Sequence, residues 1–207
     1  MKILCAAAGA ALLACPGWGL ADTTVRCGEP LAVPLHARSI LRIDSRPAGL
    51  EIVGTDAETL RVTCTADDTD SARAISLHVG ETPGDDKLAI TGNFGTHNNL
   101  KIRVEVPHRT SVRVRMGAGQ VDVDDVHGDL DIALDAGQIT MRGVNGRDYR
   151  KIDASVYIGQ VNVPAYGAEK GGFFRSFTKN NPGGEYSLRA RVLTGQIDLN
   201  SSGGSAE

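Results

Sequence analysis

Four segments of the chain repeat one pattern and so must share one local structure. VRVRMGAGQVDV from Val112, LDIALDAGQITM from Leu130, IDASVYIGQVNV from Ile152 and LRARVLTGQIDL from Leu188 align without gaps. Each has an aliphatic residue, six variable positions, then Gly-Gln, a Val or Ile, any residue, and a closing aliphatic residue; the starts lie 18, 22 and 36 residues apart. The likeness runs on into the first spacer, where Val126-His127-Gly128 is answered 18 residues later by Val144-Asn145-Gly146. A short unit of strand and turn cannot bury its apolar face alone, so successive copies must stack in register. The pattern predicts a β-solenoid, single-stranded and β-helix-like, with 18-residue coils and an internal column of Val121, Ile139, Val161 and Ile197. The glycine before each Gln marks a sharp corner where a Cβ would clash or φ is positive. Gln120, Gln138, Gln160 and Gln196 recur at that corner. Amides stacked about 4.8 Å apart can hydrogen-bond along the stack, which makes these four a structural ladder, with a ligand-facing row as the alternative.

Upstream, residues 40 to 106 alternate with period two: Leu41 and Ile43; Leu50 and Ile52; Leu60, Val62 and Cys64; Ile75, Leu77 and Val79; Leu88 and Ile90; Leu100 to Val106. These are strands with one buried face, separated by SRPAG, GTDAE, GETPGDD and GNFGTHNN, all turn chemistry. With 25 glycines and 4% aromatics, the composition favours tight turns and an aliphatic core over a helical bundle. The expected fold is therefore all-β, a solenoid with a less regular N-terminal β region, spanning 38–200. The repeat lapses between Val163 and Leu188, so 164–187 is expected as an inserted loop, and 201–207 as a flexible tail. Tyr166, Phe173, Phe174, Phe177 and Tyr186, five of the eight Tyr and Phe, fall in or beside that loop, with Lys170, Arg175 and Lys179. Two roles suit them. They plug or edge the stack, or Tyr166, Phe173, Phe174, Arg175 and Phe177 form a binding loop for glycan or a partner protein.

The opening MKILCAAAGAALLACPGWGLA has one charge, Lys2, and an apolar run too short to span a bilayer. It reads as a signal peptide over 1–21, cleaved after Ala21, with a lipobox at Leu12 to Cys15 as the alternative, which would anchor a lipoprotein through Cys15. An N-terminal lead-in segment, 22–37, follows. The cysteines left are Cys27 and Cys64, the arithmetic of one disulfide in an oxidising compartment. No later stretch has membrane length, so no transmembrane segment is expected after cleavage. A net charge of -3, with 22 basic and 25 acidic residues, argues against a nucleic-acid partner.

The stretch SRPAGLEIVGTDAETLRVTC, the run IRVEVP and the series SVRVRMGAGQVDVDDVHGDLDIALDAGQITMRGV together resemble the bacterial putative-adhesin family of unknown function. Its β-solenoid domains occur in cell-envelope proteins, and the likeness covers roughly 38–200. The family usually carries Gly-Asp or Gly-Asn at the corner; Gly-Gln, four times here, keeps a stackable polar side chain and weakens any inherited metal argument. The resemblance implies an exported, non-enzymatic module in the periplasm or on the cell surface, with an envelope glycan or another envelope protein as partner.

No cofactor, metal or catalytic residue is expected. Asp122, Asp124, Asp125, Asp129 and Asp131 read as a solvated face, because the second copy, ITMRGVNGR, has no acid at the matching positions. His127 matches Asn145, and both types tolerate positive φ, so a turn accounts for it. His36, His78, His97 and His108 read as surface residues. The competing reading is a carbohydrate-active enzyme, a polysaccharide lyase or glycosidase on a β-helix scaffold, with Asp153, Arg189 and Arg191 on different coils.

Overall fold

A computed structural model describes residues 23–35, 40–46, 48–67, 69–80, 85–92, 99–143 and 145–200. The signal peptide expected over 1–21, the alternative anchor Cys15 and the tail 201–207 lie outside the described residues. Among the described residues, runs that mostly alternate aliphatic and polar residues build thirteen strands in one large mixed sheet, with one α-helical turn, α1 (Thr69–Arg73), and one 3-10 turn (Pro164–Tyr166). The first eight strands are short: β1 (Thr23–Arg26), β2 (Leu31–Pro34), β3 (Ile40–Ser45), β4 (Ala48–Thr55), β5 (Thr59–Thr65), β6 (Ile75–Gly80), β7 (Asp85–Gly92) and β8 (Lys101–Pro107). Five long ones follow: β9 (Ser111–Asp124), β10 (Leu130–Arg142), β11 (Tyr149–Val163), β12 (Ala168–Asn180) and β13 (Tyr186–Leu199).

β9, β10, β11 and β13 each bend at their Gly-Gln step. In β9, Val112, Val114 and Met116 are buried before the corner and Val121 and Val123 after it. A straight strand keeps even-numbered residues on one face, so the corner switches parity and returns both arms to the same core. The backbone there is reserved for glycine. Gly119, Gly137, Gly195 and Gly159 have φ of 127, 132, 146 and 141°. A Cβ on Gly137 would collide with the Gly119 carbonyl, one on Gly195 with that of Gly137, and one on Gly159 with that of Gly195. Close tier spacing thus presses each corner glycine onto a backbone carbonyl of the tier beneath, where a Cβ has no room.

The tiers pair in parallel in the order β9, β10, β13, β11, with Val121, Ile139, Ile197 and Val161 in one register column, all fully buried. Burying such a side chain contributes about 1.5 to 3 kcal/mol. The spatial order differs from chain order: Gln196 lies between Gln138 and Gln160, because β13 inserts between β10 and β11. The four extra residues between the second and third repeats let β11 pass one tier further out, and the returning chain fills the slot, held by the Ser187 amide on Asp129 at 2.7 Å.

Two further expectations are corrected. Segment 164–187 is mostly strand: after a turn ending at Gly167 (φ 59), β12 runs back antiparallel along β11 for its whole length. It lacks the aliphatic alternation of the other strands because only Phe177 on it is buried. The N-terminal region is also more regular than its sequence. β3 and β4 pair with the two arms of β9 at a constant register, Ile40 to Ser111 and Ala48 to Gly119, so β3 and β4 together form a further tier with Ala48-Gly49 at the corner. β7 and β8 add to β3 and β4 in parallel, and β6, β5, β1 and β2 close that end antiparallel. Of the expected lead-in segment 22–37, the described residues 23–35 are fastened there by the disulfide between Cys27 and Cys64.

Candidate binding surface

The aromatic segment occupies the far edge of the sheet. β12 pairs with β11 on one side and with no other strand among the described residues. Its corner faces that of β11, Gly172 opposite Gly159, and Gly172 (φ 116) and Phe174 (φ 52) turn the backbone outward. Phe173 and Phe174 stand 64% and 70% exposed. Tyr157 meets Phe174 edge-on at 4.4 Å, and Leu193 holds the position of Tyr157 one tier in, 53% exposed. The same position is Asp135 in β10 and Gly117 in β9, so large exposed apolar side chains stand at this level only in β13, β11 and β12. Phe174, Tyr157, Val156, Val192, Leu193 and Leu134 line an open depression there, rimmed by Arg175 and Arg191.

The five candidate residues therefore divide. Phe177 is 9% exposed and stacks on Tyr166 at 5.5 Å, with the Lys179 ammonium 5.5 Å from the Tyr166 ring; these pack the edge. Arg175 donates to the Gly171 carbonyl at 2.8 Å and supports the corner. Phe173 and Phe174 are free to meet another molecule, and Tyr157 and Leu193, which the sequence reading passed over, extend the surface. A bulky apolar residue just before a Gly-Gln corner was the signal available, since that position faces outward in every tier.

The four glutamines are register neighbours along the outer groove, but their amides bond to carboxylates. Gln120 donates to Asp122 at 2.8 Å, Gln138 and Gln196 to Asp198 at 2.7 and 2.8 Å, and Gln160 to Glu169 at 3.0 Å. The charge-assisted bond is about twice as strong as an amide pair, which is why the expected amide-to-amide ladder gives way.

Asp153 lies beside Arg189, its register partner, whereas Arg191 pairs with Asp131 at 3.3 Å. Burial opposes the charge of Asp131. The hydrogen bond from Arg115 (2.6 Å) and the charges of Arg115, Arg191 and Arg113 outweigh it and hold the carboxyl below its usual range. Asp131 is thereby kept ionised, the opposite of a general acid. A third group escaped the sequence reading: the turns after β8 and β9 bring His108, Asp125 and His127 together. The positive φ expected at His127 belongs to Asp125 (φ 55), which stands 18 residues before Gly143 (φ 70) in the repeat. Among the described residues no helix is long and apolar enough to cross a membrane.

No protein-family model and no curated protein matches the sequence. The fold is similar to the crystal structure of a putative cell adhesion protein from Clostridium sporogenes ATCC 15579, with a TM-score of 0.54 and 12% identity over 84% of this chain and 99% of that one.

Proposed function

We propose that this chain is an exported, non-enzymatic module of the cell envelope that binds an envelope glycan or envelope protein through the aromatic end of its sheet. The observation that carries the reading is the exposure of Phe173 and Phe174 beside Tyr157 and Leu193. A contiguous apolar patch of this kind, with cations at its rim, is the composition of contact surfaces, and aromatic faces serve sugars and side chains alike. The fold shared with a protein described as adhesive is consistent with that role. The disulfide suits an oxidising compartment.

The sheet is, on this reading, the wall of a β-solenoid. Only 125–129 join β9 to its parallel neighbour β10. Parallel neighbours ordinarily need a crossover of about a dozen residues or more. The corner shortens that path by folding each strand so that its ends approach.

The test is retention of the purified chain on isolated envelope polysaccharide and, separately, on envelope membranes. The double variant Phe173→Ser, Phe174→Ser should lose at least about ten-fold in retention and keep its melting temperature. Unchanged retention on both supports would overturn the assignment.

A further inference from the structure

We propose that His108, Asp125 and His127 form a site for one late first-row divalent cation, with Zn2+ the probe of choice, on the side of the sheet where its return turns lie. The three residues come from the turns after β8 and β9, two strands that flank β4, and the turns are tied directly: the His127 amide donates to the His108 carbonyl at 2.6 Å. One ligand atom from each residue lies within 4.8 Å of the others. Asp125 takes a left-handed backbone (φ 55) and places its carboxylate between the two rings. His108 Nδ1 lies 3.4 Å from its Oδ2, and His127 Nε2 lies 3.0 Å from its Oδ1. Four donors at about 2.0 to 2.1 Å from a tetrahedral ion are about 3.3 Å apart, so these spacings already approach a coordination shell.

The outward nitrogens supply a second, independent feature. His108 Nε2 lies 3.5 Å from Asp56 Oδ1, and His127 Nδ1 lies 3.8 Å from Asp148 Oδ2. Histidine ligands commonly give their other N–H to a carboxylate, which fixes the tautomer that binds metal. Here each ring has a carboxylate on both sides, Asp56, His108, Asp125, His127 and Asp148 forming one row. Gly54 keeps the space open, since a Cβ there would lie 2.7 Å from His108 Nδ1 and would collide with the Asp125 carbonyl.

Without metal, the 2.8 Å contact between His108 Nδ1 and the Asp125 carbonyl places a proton on Nδ1. When a cation takes the Nδ1 lone pair the neutral ring changes tautomer, its one N–H passing by exchange with solvent from Nδ1 to Nε2, where it faces Asp56, so the ring stays neutral and no net proton is released. Two imidazoles and one carboxylate suit Zn2+, Ni2+ or Cu2+, whereas Ca2+ and Mg2+ call for an all-oxygen shell. The ion would staple the turns after β8 and β9, with Asp56 from the turn after β4 and Asp148 from the turn before β11 as outer support.

The experiment is calorimetric titration of the full chain, without a histidine tag, with ZnCl2, CaCl2 and MgCl2. One Zn2+ per chain is expected, with Ca2+ and Mg2+ silent. His108→Ala and His127→Ala should each weaken Zn2+ binding at least about 30-fold, and Asp56→Asn or Asp148→Asn about ten-fold, while His78→Ala leaves it unchanged. Melting curves in EDTA establish that the variants are folded; should an alanine variant fail to fold, His127→Asn replaces it, the residue that the next repeat carries at that position. No saturable Zn2+ binding, or stoichiometric binding that survives the His108→Ala, His127→Ala double variant, overturns the site.

Discussion

The C-terminal tiers and the N-terminal wing have the same two-armed geometry, reached by different means. In β9, β10, β13 and β11 the strand is continuous through the corner, and each corner glycine lies on a backbone carbonyl of the tier beneath, that of Ala48 for Gly119 and that of another glycine for Gly137, Gly195 and Gly159. In the wing each arm is supplied by its own strand, β3 and β4 in one tier and β7 and β8 in the next. The first kind of tier is held by its neighbours, so its stability is a matter of repeated close approach. The second is closed by antiparallel strands and one covalent bond at the β1–β2 turn. Repetition positions a tier only while both neighbours repeat; an end needs features of its own. β12 makes the same point at the opposite edge, where it pairs once and leaves Phe173 and Phe174 outside.

The sharpest way to break the contrast is at the corner. Gly137→Ala should cost about 4 kcal/mol, read by urea unfolding, because the new Cβ meets backbone on a positive φ. Gly117→Ala, with nothing within 4 Å of its would-be Cβ, should be nearly neutral. Removing the disulfide with Cys27→Ala and Cys64→Ala should cost about 3.5 kcal/mol, the entropy of closing a loop across a separation of 37 residues. Hydrogen exchange should then rise in β1, β2, β5 and β6 while the C-terminal tiers stay protected; uniform loosening would contradict the division.

At the other edge, Phe177→Ala should cost about 3 kcal/mol in the same unfolding assay, and Phe174→Ser under about 0.5. The smallest effects concern single polar contacts. Tyr149 is buried and donates to the Val126 carbonyl at 3.2 Å, so Tyr149→Phe should cost about 1 kcal/mol. Burial, with the charges of Asp148 and Asp129, pushes the Tyr149 phenol well above its ordinary 10.0. Its contribution is complete below pH 10 and falls as rising pH ionises the unfolded chain, a decline the Phe variant should lack. Asp131 has the reverse sign. Its lowered folded value stabilises above the unfolded value near 3.8, and that contribution, at most about 1 kcal/mol, is lost as pH falls through the folded value. Thermal melts from pH 6 to 2 on Asp131→Asn should show a shallower acid slope.

Local geometry was legible in the residues. Alternation of aliphatics is enough for strands and four Gly-Gln steps for corners, because each depends on a few neighbouring atoms; the bond between Cys27 and Cys64, across 37 residues, was legible by count, these being the two cysteines beyond residues 1–21. Tier order was not legible. Repeats that share one register are interchangeable as neighbours, so nothing in VLTGQIDL marks it for the slot between β10 and β11; loop length and the competing β11–β12 hairpin decide. The tier of β3 and β4 was hidden because Ala48-Gly49 stands where the others have Gly-Gln. The Gln–Asp bonds and the meeting of His108 with Asp125 and His127 are likewise tertiary facts, for they join side chains that only the stacking of tiers and turns brings within reach. The residues determined what each tier is, through short-range sterics and periodicity; only the folded sheet decided which tier touches which, through pairing energies that equal repeats cannot tell apart.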